Sequence, residues 1–203
     1  MRLTLFTGGF CQTNGYLVET TDGNFLVDAP EGVAAWLDQR GTRVDHLLLT
    51  HQHFDHVLDA AAVQAAGARL HAMESYGTDF TLELLFSQYG MTVTVPPYRV
   101  DELLDPDSAA PLELCGLRFT LYHIPGHSPD SLVFHLPEFE LAFSGDTLFA
   151  GSIGRTDLPR GGQRMLVEGI TRHLLALPPQ TKLLPGHGPA TTVGAEKQSN
   201  PYL

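Results

Sequence analysis

Thr50-His51-Gln52-His53-Phe54-Asp55-His56 is the stretch from which the rest of the chain is read. Neutral imidazoles and a carboxylate are ligands that a borderline divalent metal accepts. In an extended segment, residues i and i+2 point to the same side. The rings of His51 and His53 can therefore reach one ion. Asp55 and His56 are adjacent, and where the chain turns into a helix they can face a second ion. The preceding run His46-Leu47-Leu48-Leu49 reads as a short apolar strand, and residues 57–66 as an alanine-rich helix. The cluster thus sits at a strand's C-terminal end, where layered α/β proteins form ligand sites.

Working outward, residues 3–10, 16–19 and 25–28 read as an antiparallel meander, with Asn14-Gly15 as a hairpin signal. A helix follows at 33–40 and a strand at 44–49, then the 57–66 helix and a strand at 69–73 that carries His71, read as a core or surface histidine. Residues 74–110 read as a cover segment beside the site, with one amphipathic helix over 76–89 using Phe80, Leu84 and Leu85, and an acidic, turn-rich stretch at 101–107. A hairpin at 112–124, strands at 131–136 and 140–144, a helix at 164–177 and a final strand at 182–184 complete the reading. One event recurs at 50–56, 125–127, 145–146 and 185–187: an apolar strand ends, glycine or a polar residue lets the backbone turn, and a His or Asp follows. His51, His53, Asp55, His56, His127, Asp146 and His187 are accordingly the candidate ligands of a shared metal site.

The 203 residues suffice for a single domain, 1–203, with a sizeable core. A net charge of −11 argues against a basic nucleic-acid-binding face. No apolar run is long enough for a membrane helix or a signal peptide. Cys11 and Cys115 suggest no disulfide framework, and a cytoplasmic setting is expected. Oligomeric state is not legible.

The motifs Thr50-His51-Gln52-His53-Phe54-Asp55-His56, Pro125-Gly126-His127, Gly145-Asp146 and Pro185-Gly186-His187-Gly188 resemble those of the metallo-β-lactamase superfamily in order and spacing. Within it the chain resembles the glyoxalase II-like branch, through Ser144-Gly145-Asp146-Thr147-Leu148-Phe149, the block from Gly151 to Leu158, and the closing Asn200-Pro201-Tyr202-Leu203. The resemblance implies an α/β fold, a four-layer αβ/βα sandwich with metals at one edge. It implies that His51, His53 and His127 hold one ion, that Asp55, His56 and His187 hold the other, and that Asp146 bridges them. No cysteine replaces a ligand, unlike many β-lactamases, which argues against antibiotic hydrolysis. Long glutathione-thioester hydrolases carry a further C-terminal helical region that helps hold glutathione; this chain stops at Leu203, as short forms do.

The expected activity is hydrolysis of a hydroxyacyl thioester such as S-lactoylglutathione by a binuclear metallohydrolase. Two divalent ions, zinc by expectation with iron or manganese as alternatives, would acidify a water whose hydroxide attacks the carbonyl. Asp55 would bind metal and orient that nucleophile. The rival reading is a mononuclear iron persulfide dioxygenase of the same branch, using His51, His127 and Asp146. Arg155 is a candidate for the substrate's carboxylate, against a buried Arg155–Asp157 pair that fixes the loop. Tyr122, His123 and Ser128 are candidates for orienting ligand imidazoles. Glu196 and Lys197 read as solvated charges.

Overall fold

A computed structural model describes residues 1–90 and 92–203. Met91, inside the expected cover segment, lies outside the described residues. The chain's contacts divide it into two compact units: Met1–Leu104 with Leu114–Gly116, and Asp105–Glu113 with Leu117–Leu203.

The first unit is built on a six-stranded sheet, β1 (Arg2–Gly8), β2 (Thr13–Thr20), β3 (Gly23–Val27), β4 (His46–Leu48), β5 (Arg69–Ala72) and β6 (Glu102–Leu103), in that spatial order. The first three strands are antiparallel; from β3 to β6 neighbours run parallel. Parallel neighbours need crossovers, supplied by α1 (Val33–Gln39), α2 (Phe54–Val57) with α3 (Ala60–Ala65), and α4 (Thr78–Thr81) with α5 (Glu83–Gln88). Leu17, Leu26, Leu47, Val57 and Leu70 are fully buried in its core. Truncating such a leucine to alanine costs ~2–5 kcal/mol.

The structure departs from several local expectations. Asn14-Gly15 is not the hairpin turn: both residues lie inside β2, paired with Thr7 and Phe6. The turn is residues 9–12, closed by Gln12 N–H donating to the Gly9 carbonyl (3.2 Å). Burial outweighs turn preference, because Thr13 and Asn14 are buried and Asn14 Oδ1 accepts from the Thr7 hydroxyl (2.8 Å). The 57–66 helix is broken at Asp59, whose carboxylate accepts from the amides of Gly32 (3.0 Å) and Ala34 (2.9 Å), orphan donors at the start of α1. The 76–89 helix is split at Leu82, which adopts a left-handed φ of 58° and is buried, whereas Leu84 is exposed. The acidic 101–107 stretch contributes β6 rather than only turns.

The second unit has its own six-stranded sheet. Its strands are β7 (Leu112–Leu114), β8 (Leu117–His123), β9 (Leu132–Leu136), β10 (Leu141–Gly145), β13 (Lys182–Pro185) and β14 (Thr191–Thr192), ordered β14-β13-β10-β9-β8-β7. β10 and β13 are parallel, and α6 (Gln163–Gly169), extended by one π turn at Ile170–Leu174, lies between them in sequence. A small hairpin, β11 (Leu148–Phe149) and β12 (Ser152–Ile153), and a C-terminal helix, α7 (Val193–Ser199), are not legible in the sequence. Ile124, Val133, Ala142, Leu166, Ile170 and Leu183 form this unit's core. Among the described residues, no helix is long and apolar enough to cross a membrane.

His71 is a core residue, fully buried, with Nε2 hydrogen-bonded to His46 Nδ1 (2.9 Å). Burial, then the neighbouring His46 and Arg69, pushes its pKa down to about 4. A depressed imidazole pKa makes the unfolded chain take up a proton that the native state refuses. Stability should therefore fall as pH drops from 6.5 towards about 4, by up to about 1.4 kcal/mol per pH unit. Urea denaturation at stepped pH should show a smaller slope for His71→Gln than for the wild type; equal slopes would assign the proton to other groups.

Candidate metal centre

β3 and β4 are parallel neighbours, so their C-terminal ends lie side by side. Asp28 follows β3 and Thr50 follows β4. The Asp28 amide donates to the Leu48 carbonyl (2.9 Å), and the Thr50 amide donates back to Asp28 Oδ1 (2.8 Å). The next residues, His51 to His56, are thereby delivered to the sheet end. His51, His53 and His56 are all buried. His51 offers a ring nitrogen within 4.8 Å of one on His53, and one within 4.8 Å of one on His56. The His51 ring lies edge-on to His53, with centroids 4.5 Å apart, and 4.1 Å from that of His56. Asp55 Oδ2 lies 3.6 Å from His56 Nε2 and accepts from the Thr13 hydroxyl (2.7 Å).

The hydrogen bonds fix which ring nitrogen carries the proton. The Thr50 hydroxyl donates to Asp28 Oδ2 (2.7 Å), so its oxygen is left to accept from His51 Nδ1 (3.1 Å). Asp28 Oδ2 also accepts from His56 Nδ1 (2.8 Å). With Nδ1–H the donor in both rings, each neutral imidazole carries its lone pair on Nε2, the form a metal requires. Asp28 is 2 % exposed and has a left-handed φ of 60°. In the sequence it reads as an ordinary loop residue, since no motif marks it. Only strand order brings it to His56.

The second unit repeats the device. β10 and β13 end side by side, with Gly186 N–H donating to the Gly145 carbonyl (2.8 Å). Asp146 Oδ2 consequently lies 3.3 Å from His187 Nε2 and 3.4 Å from His127 Nε2. His127 Nδ1 lies 2.9 Å from the Arg155 carbonyl, which can only accept, so here too the lone pair is on Nε2. Gly126 has φ 130°, and a Cβ there would stand 2.7 Å from the Leu166 amide nitrogen, so only glycine permits this approach. The structure thus brings His51, His53, Asp55 and His56 together in one unit, and His127, Asp146 and His187 in the other. Both sets are imidazole and carboxylate, mostly buried, with the tautomers of His51, His56 and His127 set for coordination. That chemistry fits zinc, iron or manganese.

Other sequence candidates fall elsewhere. Arg155 makes a two-point bond with Asp157 (2.7 and 2.8 Å), holding that carboxyl down to about 2, and both side chains are exposed rather than buried. His123 bonds the Pro129 carbonyl, Ser128 donates to Asp130, and Tyr122 packs against His135 and His173. The groups that orient the imidazoles are instead Asp28, Thr50 and the Arg155 carbonyl. Gln52, between two candidate ligands, donates to the Glu74 carbonyl (3.1 Å) and accepts from Tyr98 (2.8 Å), which ties the start of the 74–110 segment to the histidine loop. Glu196 is not solvated; it is buried.

Comparison with known proteins agrees with this chemistry. Residues 8–187 match the metallo-beta-lactamase superfamily. The hydroxyacylglutathione hydrolase GloC of Haemophilus influenzae is 36 % identical, over 95 % of this chain and 93 % of that protein. TTHA1623, solved in a di-iron-bound form, is 38 % identical with a TM-score of 0.82, over 98 % of this chain and 100 % of that one. The BLEG-1 B3 metallo-beta-lactamase is 32 % identical with a TM-score of 0.87, over 100 % and 99 %.

Asp28→Asn keeps the side chain's shape but removes the charge shared by Thr50 and His56. It should weaken divalent-metal affinity by ~10–100-fold, measured by chelator competition, with far-UV circular dichroism unchanged. Wild-type affinity would show that Asp28 does not govern the ligands.

Proposed function

The chain belongs to the metallo-beta-lactamase superfamily, and from that premise we propose that it hydrolyses a hydroxyacyl thioester of the S-lactoylglutathione type. The observation that carries the reading is the set of buried imidazoles, His51, His56 and His127, each fixed with its lone pair on Nε2. The likeness to GloC supports a thioester as the substrate. In this reading His51, His53 and His127 would hold one divalent ion and Asp55, His56 and His187 a second, with Asp146 as a further ligand. A single domain over residues 1–203 is the proposed organisation. Zinc is the proposed metal, with iron the rival given the di-iron form of TTHA1623. The cytoplasm is the proposed setting.

When bound, the ions supply an acidified water and a positive charge for the developing oxyanion. Asp55, fixed by Thr13, orients the attacking water through its carboxylate. Asp28 and the Arg155 carbonyl hold the imidazoles so that no reorganisation is needed during reaction. Water adds to the thioester carbonyl, the C–S bond breaks, and a hydroxy acid and a thiol leave; a thiolate departs without a strong general acid. Arg155 would meet a substrate carboxylate only by giving up Asp157.

Thiol release from S-D-lactoylglutathione by zinc-loaded protein should be abolished by chelator, with kcat/KM of at least about 10⁴ M⁻¹s⁻¹. His53→Ala should lower it by more than ~100-fold, since the loss of even an outer-shell partner costs ~10–100-fold. Absence of thiol release, together with oxygen uptake on a glutathione persulfide by the iron-loaded protein, would replace this reading with the dioxygenase. Cleavage of a chromogenic cephalosporin instead would point to β-lactams.

A further inference from the structure

Glu196 is a carboxylate buried away from the histidines, 3 % exposed, in the middle of α7. Its Oε2 accepts from the Gly151 amide (2.8 Å) and from Asn200 Nδ2 (2.8 Å), and its Oε1 accepts from the Thr191 hydroxyl. Asn200, one helical turn on, also donates to the Ser152 carbonyl (3.0 Å). Glu196 and Asn200 thereby grip the turn of the β11–β12 hairpin by an amide and a carbonyl.

That hairpin supports every candidate ligand of the second unit. Asp146 lies two residues before β11. Gly154, just after β12, donates its amide to the Thr147 carbonyl (3.2 Å). Gly154 packs so closely that a Cβ would fall 1.9 Å from the Asp146 carbonyl oxygen and 3.1 Å from His127 Cβ. The next residue, Arg155, supplies the carbonyl that fixes His127. Phe149, on β11, packs edge-on against the His187 ring, with centroids 6.2 Å apart. A displacement of the turn would therefore be felt at all three ligands.

We propose that Glu196 is a positioning residue of the metal centre, acting through the β11–β12 hairpin on His127, Asp146 and His187. This rests on the reading that those three residues hold metal. Burying an anion is costly, and packing α7 on the hairpin would need no charge. Hydrogen bonds to an ionised acceptor are roughly twice as strong as neutral ones, so the carboxylate makes the clamp stiff as well as closed.

The test uses the full chain, stripped of metal and reloaded with zinc or cobalt(II). Glu196→Gln keeps the shape but loses the charge and turns one acceptor into a donor. It should raise the zinc dissociation constant by about tenfold or more and change the visible spectrum of the cobalt-saturated protein, which reports ligand geometry independently of stability. A wild-type spectrum at saturation overturns the proposal, whatever happens to the melting temperature. Should Glu196→Gln fail to fold, Thr191→Val removes one bond to the carboxylate and should shift the cobalt spectrum in a smaller measure; no shift overturns it equally. His127→Ala separates the two claims. If it leaves zinc affinity intact, the ligand reading falls and the proposal with it. If it destroys affinity while Glu196→Gln leaves the spectrum unchanged, only the proposal falls.

Discussion

The hydrogen bonds received by Asp28 are the interaction on which the histidine cluster depends. One buried carboxylate accepts from the Thr50 amide, the Thr50 hydroxyl and His56 Nδ1. The hydroxyl bond in turn leaves the Thr50 oxygen to receive His51 Nδ1. Two imidazoles are thus set by one anion. A buried charge of this kind is tolerated only when it is well supplied with donors. The parallel pairing of β3 and β4 provides them, because it aligns the residues that leave the two strands.

The second unit reaches the same end with different parts. Parallel β10 and β13 align Asp146 with His187, while a backbone carbonyl, not a carboxylate, sets His127. A carbonyl is only as well placed as the loop that carries it. Here that loop continues from a hairpin gripped by Glu196 and Asn200. The outer support of His127 therefore extends from Arg155 to the C-terminal helix, whereas His56 meets its carboxylate directly.

Much of the site is legible in the sequence, and the expectations that fail do so for physical reasons. The candidate residues' types, their strand-end placement and the glycine at 126 are local features, and the structure puts these residues at the strand ends where the motifs place them. Asn14-Gly15 misleads because a turn-prone pair is recruited into a buried strand, where Asn14 bonds Thr7 and its neighbour Thr13 bonds Asp55. The 76–89 helix misleads because its apolar spacing hides the break at Leu82, which turns inward while Leu84 faces solvent. Glu196 reads as a surface charge because nothing near it in sequence announces the amide of Gly151 or the hydroxyl of Thr191. Arg155 and Asp157 do pair, but on the surface.

The sequence by itself determined the donor chemistry, the order of the four strand-end motifs and the superfamily, since each rests on residue type and short spacing. The tertiary structure alone decided which nitrogen of His51, His56 and His127 is protonated, and which residues hold it so. Those bonds join positions such as Asp28 and His56, or His127 and Arg155, that are 28 residues apart in both cases. Strand order and hairpin packing create such neighbours. Local periodicity, which reports only the face a residue presents, carries no record of them.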